Sequence, residues 1–320
     1  MGAPTSHDVH RGELDPPEVV EVSDGVFAYV QPDGSWWINN TGFLVADDAV
    51  VAIDTCATER RTRGFLSAIA GVTAQPVRTL INTHHHGDHT NGNCLVDGAT
   101  IVGHHHCRED VLAMPIGGLE AVWGHVEWGE LEHAPPTVTF EDRLEVHVGD
   151  LHVELHHFPS PAHTRSDVVA WLPERSVLFA GDLVFNGGTP FVVMGSVAGS
   201  LEAIERVRAF GAEVIVPGHG GVTGPEVLDA VDGYLRFVQD VAREGRAAGL
   251  SPLDAAKGAD LGPYREWLDA ERLFGNLHRA YAETDGTGPD GTGPGAPLDL
   301  LTAFADMVTY NGGQPLRCLA

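Results

Sequence analysis

Thr83-His84-His85-His86-Gly87-Asp88-His89 stands directly behind the apolar run Val77–Asn82, which reads as a strand. His84 and His86, two apart at a strand end, face one point once the chain bends there, and Asp88 and His89 add an oxygen and a nitrogen at the start of the next element. One zinc ion takes about four ligands, so this cluster is incomplete. The missing groups appear downstream, each close behind a predicted strand: His163 in Pro159-Ser160-Pro161-Ala162-His163-Thr164, Asp182 in Ala180-Gly181-Asp182, and His219 in Pro217-Gly218-His219-Gly220. Strand ends on one edge of a sandwich would gather all seven. Seven nitrogen and oxygen donors suffice for two metal ions; the set suits Zn²⁺, and Fe or Mn can occupy it too. The plain alternative, a solvated polar loop, leaves the recurring Gly-Asp and Pro-Gly-His unexplained.

Outward from this motif the chain alternates strands and helices. Val19–Val22, Val26–Val30, Trp36–Val45 and Ala49–Asp54 read as strands between Asp-Gly and Asp-Asp turns, then Thr58–Ala70 as a helix. Further strands are expected at Thr100–Gly103, Thr137–Phe140, Leu144–Val148, Leu151–Phe158, Val168–Leu172, Val177–Ala180 and Val214–Val216, with a helix over Leu201–Phe210 capped by Ser200. Two β-rich halves, each with a helix, predict an α/β fold in which two sheets carry helices on their outer faces, a four-layer αββα sandwich over residues 18–224. Residues 1–17 read as a loose arm. Residues 225–320 read as a C-terminal helical appendage packed on the core, with helices at Pro225–Ala248, Pro263–Ala282 and Leu298–Tyr310 and a flexible Gly/Pro-rich loop at 284–297. These helices are expected to cover the site or to form a homo-oligomer interface.

Composition narrows the function. The chain has 320 residues, with 19 Lys and Arg against 45 Asp and Glu, a formal net charge of −26. A field of that sign repels nucleic acid and anionic membranes, so neither is an expected partner. Cys56, Cys94, Cys107 and Cys318 form no C-x-x-C pair, and Met1–Glu18 has no apolar stretch of signal-peptide kind. A reduced, cytoplasmic enzyme is the expectation. No G-x-S-x-G motif competes with the metal reading.

The motif resembles that of the metallo-β-lactamase superfamily, whose H-x-H-x-D-H pattern is matched by His84, His86, Asp88 and His89, with His163, Asp182 and His219 at its later ligand positions. The resemblance implies that fold and a dinuclear centre: His84, His86 and His163 on one ion, Asp88, His89 and His219 on the other, Asp182 bridging. Asp88 and Asp182 are accordingly the expected catalytic carboxylates. Asp54 matches a position that hydrogen-bonds a ligand histidine and fixes its tautomer. His85 is expected to point elsewhere, and His104, His105 and His106 to play surface or supporting roles.

Around the site, Trp36, Trp37, Trp123, Trp128, Phe185, Phe191 and Met194 suggest a roomy apolar pocket for a flat substrate. A narrower resemblance, to the actinorhodin-type second-ring cyclases of aromatic (type II) polyketide biosynthesis, is carried by Trp128-Gly129-Glu130, Val168–Asp182, Thr189-Pro190-Phe191, Gly195–Gly199, Asp269–Leu273 and Tyr310–Gln314. It implies aldol closure and dehydration of a poly-β-ketone tethered to an acyl carrier protein, with two Zn²⁺ ions and thioesterase release. Arg60, Arg61 and Arg63, the densest basic cluster, are the expected docking patch for that acidic carrier. The rival reading is a generic dinuclear zinc hydrolase of a thioester, lactone or lactam.

Overall fold

A computed structural model describes residues 14–284 and 298–320. The expected arm therefore lies outside the described residues up to residue 13, and the expected loop lies outside them from residue 285. The first sheet runs in sequence order through β1 (Glu18–Ser23), β2 (Val26–Val30), β3 (Thr41–Val45), β4 (Val50–Ile53), β5 (Val77–Ile81), β6 (Thr100–His104) and β7 (Val138–Phe140). Its first four strands are antiparallel and the later pairings parallel. The second has the order β12 (Val214–His219), β11 (Val177–Phe185), β10 (Val168–Leu172), β9 (Leu151–His157), β8 (Arg143–Val148).

Period-2 side chains explain why the central strands of both sheets are buried on two faces. Val51 and Ile53 of β4 join Val168, Ala170 and Leu172 of β10 in the core between the sheets. Val50 and Ala52 face outward onto Phe65 and Ile69 of α1 (Glu59–Val72). Val169 and Trp171 face the other way, into a cluster shared with Ile204 and Val207 of α5 (Val197–Ala209). Strands buried on both faces read as unbroken apolar runs, as these do. The result is four layers, α1 on sheet on sheet on α5.

Four short helices intervene or follow: α2 (Gly87–Thr90), α3 (His105–Ala113), α4 (Glu120–Trp123) and α7 (Pro252–Gly258). The long α6 (Val227–Ala247) buries one stripe, Leu228, Val231, Leu235 and Val238, in the same cluster as α8 (Arg272–Thr284) and Met307 of α9 (Leu300–Tyr310). No helix among the described residues is long and apolar enough to cross a membrane. All four cysteines are free.

Four elements depart from the sequence reading, one of them α5, which starts at Val197 with Ser196 as its cap and not at Leu201 with Ser200. The strand expected over Trp36–Val45 begins only at Thr41, because Trp37 takes a φ of +66° that no strand tolerates. Strand β11 runs past Ala180 to Phe185, so Asp182 lies inside it at a register shift beside Gly181. The helix expected over Pro263–Ala282 is broken: Gly262–Glu266 is a 3-10 turn, Leu268 exchanges backbone hydrogen bonds with Gly187 and Thr189, and Asp269 has a φ of +56°.

Candidate metal centre

The seven side chains meet at one edge of the sandwich. Thr90 folds the motif back by donating its hydroxyl to the carbonyls of His85 (3.1 Å) and His86 (2.9 Å), which turns the chain out of β5 and into α2. His163 comes from the β9–β10 connection, Asp182 from β11 and His219 from the end of β12. His84, His86, His163 and Asp182 form one group and Asp88, His89 and His219 another, the ligand atoms of each lying within 4.8 Å of one another. Asp182 touches both: its Oδ2 is 3.3 Å from His163 Nε2 and 3.3 Å from His219 Nε2, and its Oδ1 is 3.1 Å from His89 Nε2. His163 Nε2 is 2.8 Å from His86 Nδ1, and Asp88 Oδ2 is 3.3 Å from His219 Nε2. Gly218 makes the approach of β12 to β11 achievable, since a Cβ there would sit 1.9 Å from Asp182 Oδ1.

This donor set fits metal ions. His84 Nε2, His89 Nε2 and Asp182 Oδ1 are buried with no hydrogen-bond partner; the 3.1 Å approach of the last two is not aligned for one. Native interiors rarely leave such atoms unpaired unless something else binds them. Burial pushes His86 and His163 down to about 3 and His84 well below its usual range, which keeps their lone pairs free, as ligation requires. Burial would also lower His89 and His219, but the Asp182 carboxylate wins at both, holding His89 well up and His219 at about 9. Conversely, burial favours neutral Asp182 and Asp88, yet His219, His89 and His163 hold Asp182 well below its usual value, and His89 and His219 hold Asp88 at about 2. Cationic charge thus compensates the carboxylates here, the role that divalent ions fill in such a set.

Three of the histidines are oriented from behind. Asp54 accepts from His89 Nδ1 (2.8 Å), the Thr83 hydroxyl (2.7 Å) and the Thr83 amide (2.8 Å), and its own φ is +60°. Gly34 O accepts from His219 Nδ1 at 3.1 Å, and Phe191 O from His163 Nδ1. Sequence reading missed Thr83, Gly34 and Asn40, whose amide donates to Pro217 O (2.9 Å) and Gly220 O (2.6 Å) and so clamps the His219 turn. The available signal for Asn40 was a pair of asparagines inside an otherwise apolar run.

A cavity of about 310 Å³ opens over the cluster. Trp36, Trp37, Phe185, Phe191 and Met194 line it as expected, together with Trp123 and, unforeseen, Leu300, Leu301 and Phe304 of α9. Trp128 does not line it; it stands behind Trp37 with ring centres 4.7 Å apart, because the turn at Gly117 fills the space in front of it. Phe185 stacks flat on His219, with centres 5.1 Å apart and planes at 8°. Arg272, fully buried, lies over Trp36 at 4.1 Å and Phe185 at 5.1 Å.

His85 turns its Nδ1 to Ser166 Oγ (3.3 Å) but still lines the cavity. His104 is stacked on His157 at 3.6 Å, and neither it, His105 nor His106 belongs to a ligand group. In the basic cluster, Arg60 is exposed, but Arg63 pairs with Glu59 (2.8 Å), and Arg61 turns inward to Gln31 Oε1 (2.7 Å) and Leu319 O (2.6 Å). Arg61 thus ties α1 to Gln31 and to the backbone at Leu319.

Residues 34–219 match the metallo-beta-lactamase superfamily. The chain is 24% identical over 268 residues to a linear primary-alkylsulfatase of Pseudomonas sp., covering 69% of this chain and 50% of that protein. It is 28% identical over 137 residues to a hydroxyacylglutathione hydrolase of Rhodospirillum rubrum, covering 43% and 45%. It is 26% identical over 168 residues to the acyl-coenzyme A thioesterase MBLAC2 of Bos taurus, covering 46% and 58%. The chain thus spans about half the length of the relatives it matches. Among solved structures, a metallo-beta-lactamase from Pontibacter korlensis superposes with a TM-score of 0.58 at 23% identity, covering 69% of this chain and 99% of the other; at that identity the likeness is one of fold.

Proposed function

Because the chain belongs to the metallo-beta-lactamase superfamily, we propose that its centre works on an activated acyl group, closing a ring in a carrier-tethered poly-β-ketone by aldol condensation and dehydration and cleaving the thioester to release it. The observation that carries this reading is the aromatic cavity set directly over the His/Asp cluster, with a size that suits a flat polycyclic body. The sequence resemblance to the second-ring cyclases supports the substrate, and the hydrolase and thioesterase relatives support acyl cleavage. Those same relatives favour the second reading, a dinuclear hydrolase of a free thioester, lactone or lactam, in which ring closure plays no part.

Two divalent ions, Zn²⁺ by donor chemistry, would supply Lewis acidity toward carbonyl oxygens and a water acidic enough to react near neutral pH. His84, His86, His163, Asp88, His89, His219 and Asp182 would hold them. The chain's own part is positioning. Trp36, Phe191 and Phe304 flatten the substrate and keep bulk water off the reacting carbonyls. Asp88 borders the cavity and is the side chain positioned to accept a proton leaving an acidic methylene between two carbonyls. In ring closure a C–C bond forms from that carbon to a ketone carbon, and water leaves; in release the C–S bond breaks as a C–O bond forms.

Product analysis of a carrier-bound poly-β-ketone, with metal-loaded and stripped protein side by side, tests the reading. Asp182→Ala and His86→Ala are expected to lose cyclised product and free acid together. Ring closure that survives in stripped protein sinks the proposal. Turnover of glutathione thioesters or lactones, with no action on the polyketone, establishes the hydrolase instead.

A further inference from the structure

We propose that α8 is a positioning element of the metal centre: its Arg272, Asn276 and Arg279 hold the backbone of the loop between β11 and α5, and that loop aims His163 and His86. The helix lies beyond residues 34–219, the part of the chain that matches the superfamily, so the likeness assigns it no part in the site. The inference needs the metal centre but is independent of the substrate that centre takes.

Arg272, Asn276, Arg279 and Glu283 stand at i, i+4, i+7 and i+11 and therefore share one face of α8. They take successive stretches of the neighbouring chain. Arg272 Nη1 donates to Thr189 O at 2.9 Å. Asn276 accepts from Val192 N at 2.9 Å and donates to Pro190 O at 2.7 Å. Arg279 donates to Val193 O from Nε at 3.0 Å and from Nη2 at 2.7 Å. Glu283 continues the series at Val197 N and Ala198 N, the start of α5. The first three side chains are 1%, 0% and 4% exposed. Leu273, Phe274 and Leu277 already attach the helix to the core, and burying a guanidinium is costly unless it is hydrogen-bonded. Residues Thr189–Val193 are buried outside any helix or named strand, so their backbone groups need partners from elsewhere. The polar stripe supplies four of them, at Thr189 O, Pro190 O, Val192 N and Val193 O. Apolar contacts would hold the helix; only hydrogen bonds fix the course of the loop.

That course sets two histidines. Phe191, between the gripped residues, offers its carbonyl to His163 Nδ1. Met194 follows Val193 directly, and its Sδ lies 3.3 Å from His86 Nε2, while His86 turns Nδ1 to the cluster, 2.8 Å from His163 Nε2. Gly195 passes so close to the turn bearing His163 that a Cβ would sit 1.8 Å from Ala162 O. A displaced loop therefore moves that turn as well. Both rings belong to the group of His84, His86, His163 and Asp182. In the other group, His89 and His219 are held by Asp54 and by Gly34 O, outside this loop. Losing the grip of α8 should thus weaken one half of the centre before the other.

Zinc binding read by chelator competition tests this, with His163→Ala and His219→Ala assigning the two binding steps to the two groups. Arg279 is the cleaner probe, because Arg272 also lies over Phe185, which stacks on His219. Arg279→Met keeps the packing of the stem and removes the grip on Val193 O. It is expected to weaken the step lost in His163→Ala about tenfold, the low end of the range for partners of ligand histidines, and to leave the other step unchanged. Arg279→Lys, which retains the charge and a donor, is expected to restore most of that loss. Should Arg279→Met fail to fold, Arg279→Gln, which keeps one neutral donor, is expected to show a smaller loss at the same step. Equal weakening of both steps, or unchanged zinc binding beside a lowered melting temperature, overturns the inference, since α8 would then stabilise the fold without aiming the ligands. If the parent protein neither closes rings nor cleaves thioesters while the step-selective loss is seen, the functional reading fails and this inference stands.

Discussion

Asp54 shows how much of the centre is built behind the histidines. Its carboxylate is the sole acceptor shown for His89 Nδ1, and it carries a strained φ of +60° to reach both that ring and Thr83. Asp54→Asn keeps the shape but weakens the charge-assisted bond that holds His89, so metal affinity is expected to fall about 10–100-fold in chelator competition, with little change in fold. A second carboxyl gives a pH signature. Burial pushes Asp167 up to about 7, against hydrogen bonds from Thr164 that pull the other way. The unfolded chain releases that proton near pH ~4, so between about pH 4 and 7 the folded protein holds a proton that the unfolded one lacks. The stability it contributes is full below that window and lost as pH rises through it. Urea unfolding at several pH values is expected to show the parent losing up to about 4 kcal/mol across the window relative to Asp167→Asn, which cannot titrate; parallel curves for the two proteins would refute the shift. At this scale the cluster was legible because His84–His89 is contiguous and each of the other three stands one or two residues behind a Gly or Pro. Thr83, Asn40 and the strain at Trp37 were not, since each draws its meaning from a partner far along the chain.

Among the elements, α5 illustrates why boundaries were harder to read than existence. The apolar spacing of Leu201, Ile204 and Val207 marks a helix with Ser200 as a plausible cap, yet the helix begins at Val197 and Ser196 caps it, its hydroxyl accepting from Gly199 N at 2.9 Å. The extra turn is stabilised by tertiary contacts: Glu283 of α8 accepts from Val197 N (2.7 Å) and Ala198 N (3.3 Å), placing negative charge at the positive end of the helix. No local pattern announces a carboxylate 86 residues away. The turn also serves the centre, because Ser196 N donates to Ala162 O at 2.8 Å and a Cβ on Gly199 would sit 1.8 Å from Pro161 O, both in the loop that carries His163. Ser196→Ala is expected to cost about 1 kcal/mol in urea unfolding with metal affinity kept. Gly199→Ala should instead displace the loop and reduce metal affinity, as read by the same chelator competition. If both variants lose only stability, the helix start has no bearing on the site.

On the scale of the whole molecule, a net charge of −26 governs how an acidic carrier would approach. The sequence shows three arginines together; the fold removes Arg61 from that face, since it ties the tail at Leu319 to Gln31, while Arg317 ties the same tail to Asp33 at 2.8 Å. Spacing along a helix cannot tell an outward arginine from one that anchors a chain end more than 250 residues on. Arg61→Glu is thus expected to lower the melting temperature and is no test of docking, whereas Arg60→Glu leaves the fold intact. Beyond a Debye length, about 10 Å at 0.1 M salt, the attraction of exposed Arg60, with Arg63 already paired to Glu59, is outweighed by acid–acid repulsion. For carrier-bound substrate KM is therefore expected to fall as salt rises, with kcat unchanged, and Arg60→Glu to raise KM most at low salt. A small uncharged thioester should show neither effect. If the carrier substrate behaves like the small thioester in both respects, the substrate reaches this cavity without a charged escort, and the docking proposal falls while the chemistry at the centre is untouched.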